Sequence, residues 1–231
     1  MIVCHKYKFI FLKTSKTAGS SIEMALSRFC GPDDIITPLS EEEDALRVKQ
    51  GGVAPQNYLE YPFRYKPSQL WKFISRGKSL RRFYNHIPAR KLKRRLGKDI
   101  WDSYYKFCVV RDPWDRTISQ YYWRLRNEDQ PMSIDKFLDS RHIDSLIRKG
   151  IGVYTIDGKI VVDKICRYEN LEQHLEEVRN ELGLPEPISL PQAKATFRKD
   201  KRHYSEVLSE HQKEKIRVIF SDEIKLLGYE Y

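Results

Sequence analysis

Lys13-Thr14-Ser15-Lys16-Thr17-Ala18-Gly19-Ser20-Ser21 is a polar loop set between a stretch that reads as a short buried strand, Tyr7 to Leu12, and a helical pattern from Ser20 to about Phe29. The periodicity of the two flanks predicts strand, loop, helix. Amides that open a helix lack an intrahelical partner and carry the positive end of its dipole, so a loop of this kind favours an anion. Lys16 adds a full charge, Thr17, Ala18, Ser20 and Ser21 add amides or hydroxyl donors, and Gly19 lets the backbone approach a ligand closely. These are the parts of a phosphate cradle. The spacing excludes an ATP-binding Walker A loop, because Lys16 precedes Gly19 and no glycine stands earlier in the loop. No acidic strand end offers a magnesium site. Taken alone, the stretch reads equally well as an ordinary polar loop before a Ser-capped helix.

A second unit of the same kind follows. Tyr105 to Val110 predicts a strand ending at Arg111-Asp112-Pro113, where Asp112 caps a helix, Pro113 fits its first turn, and the helix runs to about Arg126. Between the units, Glu41 to Gln50 reads as a short acidic helix, Gly51 to Pro67 as loop, and short basic helices come next. Val153 to Val162 alternates around Asp157-Gly158, a hairpin signature, and Lys164 to Tyr168 reads as another strand. Leu171, Leu175, Val178 and Leu182 mark one face of a helix stopping at Gly183. Ser209 and Gln212 form a capping box for a helix to about Leu227, closed by Gly228. Strands alternating with helices, without repeats or low-complexity linkers, predict an α/β fold with a mainly parallel sheet and one domain over residues 1–231.

Charge is unevenly placed. The chain carries 42 Lys or Arg against 32 Asp or Glu, net +10. Arg64 to Lys98 holds 13 of the basic residues and no acidic one, which leaves 29 basic against 32 acidic elsewhere. Such a run reads either as a solvated helical face or as a surface for an anionic partner: nucleic acid, a polyanionic glycan or a multiply phosphorylated cofactor. Interleaved Trp71, Phe73, Phe83 and Tyr84 keep nucleic acid in that group. No apolar run approaches the ~20 residues of a membrane helix, which argues against membrane insertion, and Lys6 and Lys8 interrupt any secretory signal. Cys4, Cys30, Cys108 and Cys166 lie far apart with no CxxC pair and no histidine at ligand spacing, so reduced, buried thiols and no zinc site are expected.

Lys16-Thr17-Ala18-Gly19-Ser20-Ser21 after a strand resembles the 5′-phosphosulfate loop of sulfotransferases that use 3′-phosphoadenylyl sulfate (PAPS). Val110-Arg111-Asp112-Pro113-Trp114-Asp115-Arg116-Thr117-Ile118-Ser119 looks like the 3′-phosphate motif of the same family. Gly31 to Pro38, Tyr84-Asn85-His86-Ile87, Trp101 to Trp114 and Arg167 to Leu171 are similar to its bacterial and carbohydrate-type, family 2, branch. One departure is Ser15, where many relatives have Pro before the Lys; this loosens the loop without removing an anion contact.

The resemblance implies a P-loop NTPase-like three-layer fold and a list of roles. Arg111 and Ser119 would hold the 3′-phosphate, a task for which a guanidinium fork is suited. His86 matches the histidine between the two motifs and would act as general base, its neighbouring cations keeping it neutral. Lys16 would neutralise charge on the leaving phosphate, so that no metal is required. Tyr168 resembles a tyrosine that contacts adenine and reads equally as core; Arg198 and Lys199 match a segment closing over the 3′-phosphate and read equally as a solvated loop. Trp114 reads as buried structure.

The implied function is transfer of the sulfuryl group of PAPS to a hydroxyl of a sugar or small-molecule natural product, leaving adenosine 3′,5′-bisphosphate (PAP), in a bacterial cytoplasmic enzyme. N-sulfation of an amine is the alternative with the same cofactor. The acidic stretch Glu41-Glu42-Glu43-Asp44 reads as a solvated helix face or as a contact for a cationic acceptor. A nucleotide kinase lacks its Walker A loop here. A non-catalytic polyanion-binding or nucleic-acid-binding module built on residues 64–98 is the reading from a different class, with nucleic acid the disfavoured partner.

Overall fold

Phe9–Leu12 is an uninterrupted apolar run, buried at every residue, and forms strand β2 in the middle of the sheet. The computed structural model describes residues 1–61, 63, 71, 74, 80–126, 128, 132–191 and 202–231. Strand β1 (Ile2–Cys4) pairs antiparallel with β2, and the two-residue β3 (Ile35–Ile36) pairs antiparallel with β1. On the other side β4 (Tyr105–Val110) runs parallel to β2, and β7 (Lys164–Arg167) runs parallel to β4. The order is β3-β1-β2-β4-β7, in which four strands share one direction and β1 alone opposes them. The mainly parallel α/β sheet is as the sequence predicts.

Alternation along the strands builds one core on each face. Val3, Ile10, Leu12, Cys108 and Val110 face helices α5 (Pro113–Leu125) and α10 (Glu210–Ile219), with Trp114, Ile118, Ile216 and Phe220 packed in. Ile2, Phe9, Phe11, Phe107, Val109 and Cys166 face α1 (Gly19–Ser27) and α8 (Leu171–Leu182), through Ile22, Leu26, Leu175 and Val178. Each such side chain contributes about 1.5–3 kcal/mol on burial. Helix, sheet and helix make three layers.

Among the described residues the remaining helices are α2 (Glu41–Lys49), α3 (Ala89–Leu96), α4 (Lys98–Ser103), α6 (Ile134–Leu138), α7 (Arg141–Arg148), α9 (Tyr204–Val207) and α11 (Ser221–Leu227). Several expected helix ends are as the sequence predicts. Asp112 accepts from the amides of Trp114 and Asp115, Ser40 and Ser209 make full capping boxes, and Gly183 and Gly228 end helices in the left-handed conformation. Asp157 and Gly158, both at positive φ, turn the hairpin β5 (Thr155–Ile156) to β6 (Lys159–Ile160), which stands apart from the main sheet.

The single C-terminal helix expected from Ser209 to Leu227 is broken at Phe220, which leaves helical geometry at φ −108° and ψ 21°. The break sinks Phe220 into the core and turns Glu223 onto Arg116. Both oxygens of Glu223 accept from the Arg116 fork, one at 2.9 Å, and the Tyr154 hydroxyl donates to Glu223 at 2.9 Å. All three side chains are buried, so the charges compensate one another rather than meeting water. Among the described residues no helix is long and apolar enough to cross a membrane.

Candidate active site

The three parallel strands β2, β4 and β7 end on the same side of the sheet, the usual place for a ligand in an open α/β fold. Leu12 leads into the loop that carries Lys16, Val110 leads into Arg111, and Arg167 leads into Tyr168. A cleft of about 1230 Å³ lies over these ends. Lys16, Thr17, Ala18, Gly19, Ser20, Ser21, His86, Arg111, Ser119 and Tyr168 all line it, although they come from five separate parts of the chain. Arg198 and Lys199 lie outside the described residues.

The loop holds its shape by local bonds. Lys16 and Ala18 take positive φ, at 64° and 57°, a conformation that costs a side-chain-bearing residue energy and recurs at ligand clamps. Thr14 and Thr17 join through their hydroxyls at 2.9 Å, and Thr14 also donates to the carbonyl of Val109. Thr17 is therefore fully buried and offers the cleft its amide. Helix α1 starts at Gly19 without a side-chain cap, so its opening amides are left for a ligand.

Gly19 serves a purpose other than close ligand approach: a Cβ there would sit 2.7 Å from Cγ of Lys13. The stem of Lys13 fills that space and sends Nζ to Ser20 Oγ and Glu23 Oε2, both at 3.2 Å. Glu23, buried under the loop, also lies 3.6 Å from the buried Arg47 of α2. At the acidic start of α2, Glu43 accepts from the Ser40 amide and Asp44 from the Leu39 amide, and Glu43 also lines the cleft.

Arg111 is held on three sides. Nε and Nη2 reach Asp115 at 2.8 and 2.7 Å, Nη1 donates to the carbonyl of Lys16 at 3.1 Å, and the guanidinium stacks 4.1 Å from the Tyr168 ring. Ser119 lies one helical turn beyond Asp115 on α5, on the same face. The ammonium of Lys16 rests 5.0 Å from the centre of the Trp123 ring, also on α5. Trp114 is buried as expected, its indole donating to the carbonyl of Lys213.

His86 occupies a tight turn at φ 61°, anchored next door by Asn85, which donates to the Pro38 carbonyl at 2.7 Å. Its Nδ1 lies 3.0 Å from the Lys13 carbonyl, and a carbonyl can only accept, so Nδ1 carries the proton and Nε2 keeps a lone pair. Burial, followed by the nearby charges of Lys13 and Lys149, pulls its pKa down from the ordinary value to about 3. The expected neutrality thus has another source. The cations named among the described residues come from the loop and from the end of α7, where the Lys149 carbonyl accepts a hydrogen bond from the Ser15 amide. Lys13, Lys149, Asp115 and Trp123 went unread in the sequence because nothing in their local spacing marks them.

The family described as "Sulfotransferase family" matches residues 1–151. The chain is also 33% identical over 106 residues, 45% of its length and 88% of the relative's, to an uncharacterized protein of Archaeoglobus fulgidus. The chain belongs to the sulfotransferase family, and so to the group-transferring enzymes.

Proposed function

We propose that this protein moves the sulfuryl group of PAPS to a hydroxyl of a sugar or small-molecule natural product, with residues 1–231 acting as one domain. The observation that carries the reading is the meeting of Lys16, Arg111 and His86 in one cleft at the carboxyl ends of adjacent parallel strands. The uncapped start of α1 and Lys16 suit the 5′-phosphosulfate, and Arg111 with Ser119 suits the 3′-phosphate. Tyr168, already stacked on Arg111, suits the flat face of adenine. When bound, PAPS supplies the activated sulfuryl group.

His86 takes the proton of the acceptor hydroxyl at Nε2, and its Nδ1 bond to the Lys13 carbonyl fixes the ring for that task. Anionic charge entering the cleft offsets Lys13 and Lys149 and raises the basicity of His86 from its value in the empty site. Lys16, whose ammonium rests 5.0 Å from the centre of the Trp123 ring, would meet the charge on the departing phosphate.

Calorimetric titration with PAP, beside AMP and ATP–Mg at the same salt, tests the reading. Tight binding of PAP that AMP does not reproduce supports it. No preference for PAP over ATP–Mg overturns it and brings forward the polyanion-binding reading of residues 64–98, only part of which lies among the described residues.

A further inference from the structure

Far from the cleft, the fold draws together two cysteines that the sequence separates. Cys4 closes β1 and is fully buried, whereas Cys30 follows the end of α1 and is half-buried. Their sulfurs and a carboxylate oxygen of the buried Asp34 all lie within 4.8 Å of one another. Among the described residues no other group of three His, Cys, Asp or Glu side chains converges in this way.

The two thiols are weakly hydrogen-bonded, and Asp34 is held in place beside them. Each thiol has a long contact to a carbonyl, Cys4 to Phe29 at 3.9 Å and Cys30 to Leu26 at 3.6 Å. Asp34 is held rigid, one oxygen accepting the His5 amide at 2.6 Å and the other the Gly31 amide at 2.7 Å. Such outer hydrogen bonds orient a metal-binding carboxylate, and each oxygen retains a lone pair. The group also sits at the carbonyl end of α1, where the helix dipole favours positive charge and opposes an unpartnered thiolate.

We infer that Cys4, Cys30 and Asp34 form a structural site for a thiophilic divalent cation, zinc by ligand type, independent of the sulfuryl-transfer cleft. Binding replaces the two S–H protons, which pass to solvent, with no change of oxidation state. Zinc–sulfur bonds of about 2.3 Å in a tetrahedron set the two sulfurs about 3.8 Å apart, so a small contraction suffices. A surface cavity of about 480 Å³, lined by Cys30 with Lys6, Arg28 and Glu186, gives the ion a way in and the fourth position a water. The ion would tie β1 to the far end of the helix that opens at the anion loop.

The test is titration of the reduced, chelator-treated full chain with cadmium, followed by the thiolate-to-cadmium charge-transfer absorbance. The expected result is one equivalent per chain, with affinity ~10–100-fold weaker in Asp34→Asn and the band largely lost in Cys30→Ser. Cys166→Ala should leave both unchanged. Because a Cys4 variant also disturbs the core, Cys30→Ser at its half-buried position carries the argument, with its melting curve recorded without metal to show that it folds. No band at stoichiometric cadmium, a band that survives Cys30→Ser, or a Cys4–Cys30 disulfide in the freshly isolated protein overturns the proposal.

Discussion

Nη1 of Arg111 donates to the carbonyl oxygen of Lys16 at 3.1 Å, so the arginine that ends β4 braces the loop that follows β2. With two further bonds to Asp115, the guanidinium uses its planar fork and not only its charge. Arg111→Ala and Arg111→Lys are both expected to weaken PAP binding ~10–100-fold, the range of one or two hydrogen bonds to a charged group. Calorimetry at fixed salt measures this. A lysine variant within twofold of wild type would show that charge alone suffices.

His86→Ala should lower kcat by ~10²–10⁴ while changing PAP affinity less than threefold, because the ring is assigned to the acceptor and not to the nucleotide. Steady-state kinetics beside calorimetry separates the two quantities.

The same histidine makes acid stability testable. Its folded pKa of about 3 lies below its unfolded value near ~6.5, so between those values the unfolded chain binds the extra proton. Its contribution is intact above pH ~6.5 and is lost as pH falls toward 3. His86→Gln, which has no proton to gain, should flatten the pH dependence of the urea midpoint over that window. Parallel slopes for the two proteins would remove His86 as the cause.

Gly19→Ala forces its new methyl group against Cγ of Lys13 at 2.7 Å. The expected outcome is lost stability of about 1–3 kcal/mol together with weaker PAP binding. Shortening the obstructing side chain in Gly19→Ala/Lys13→Ala should cost less than the two single changes added together. Simple additivity in urea unfolding would show that the two positions do not touch.

Glu223→Gln strands the Arg116 charge in the core and should destabilise the protein by about 3–5 kcal/mol. Arg116→Met/Glu223→Leu, which removes both charges, should recover more than half of that loss. Denaturant titration distinguishes a pair kept for orientation from one kept for strength.

The long, patterned elements were readable because their signals are local. Tyr105–Val110 ends in the buried apolar run Phe107 to Val110, and Asp112-Pro113 marks the next helix within two residues. β1 and β3, of three and two residues, are too short to show a period and exist because β2 and β1 offer them an edge. Phe220 continues a helical pattern yet leaves the helix, since turning there serves Arg116, a hundred residues away in sequence. The cleft divides likewise. Motif residues Lys16 and Arg111 could be read directly, whereas Lys13 depends on the space left by Gly19, and Lys149 reaches the site through the Ser15 amide.

β7 pairs with β4 from beyond the part of the chain that the family match covers. The matched region ends at residue 151, before the strand that covers one edge of β4 and before the glutamate that answers Arg116. In this chain, therefore, residues 1–151 lack two of the partners that complete their packing. Cut at that boundary, they would expose a bare strand edge and an orphaned guanidinium, and aggregation would be their expected fate.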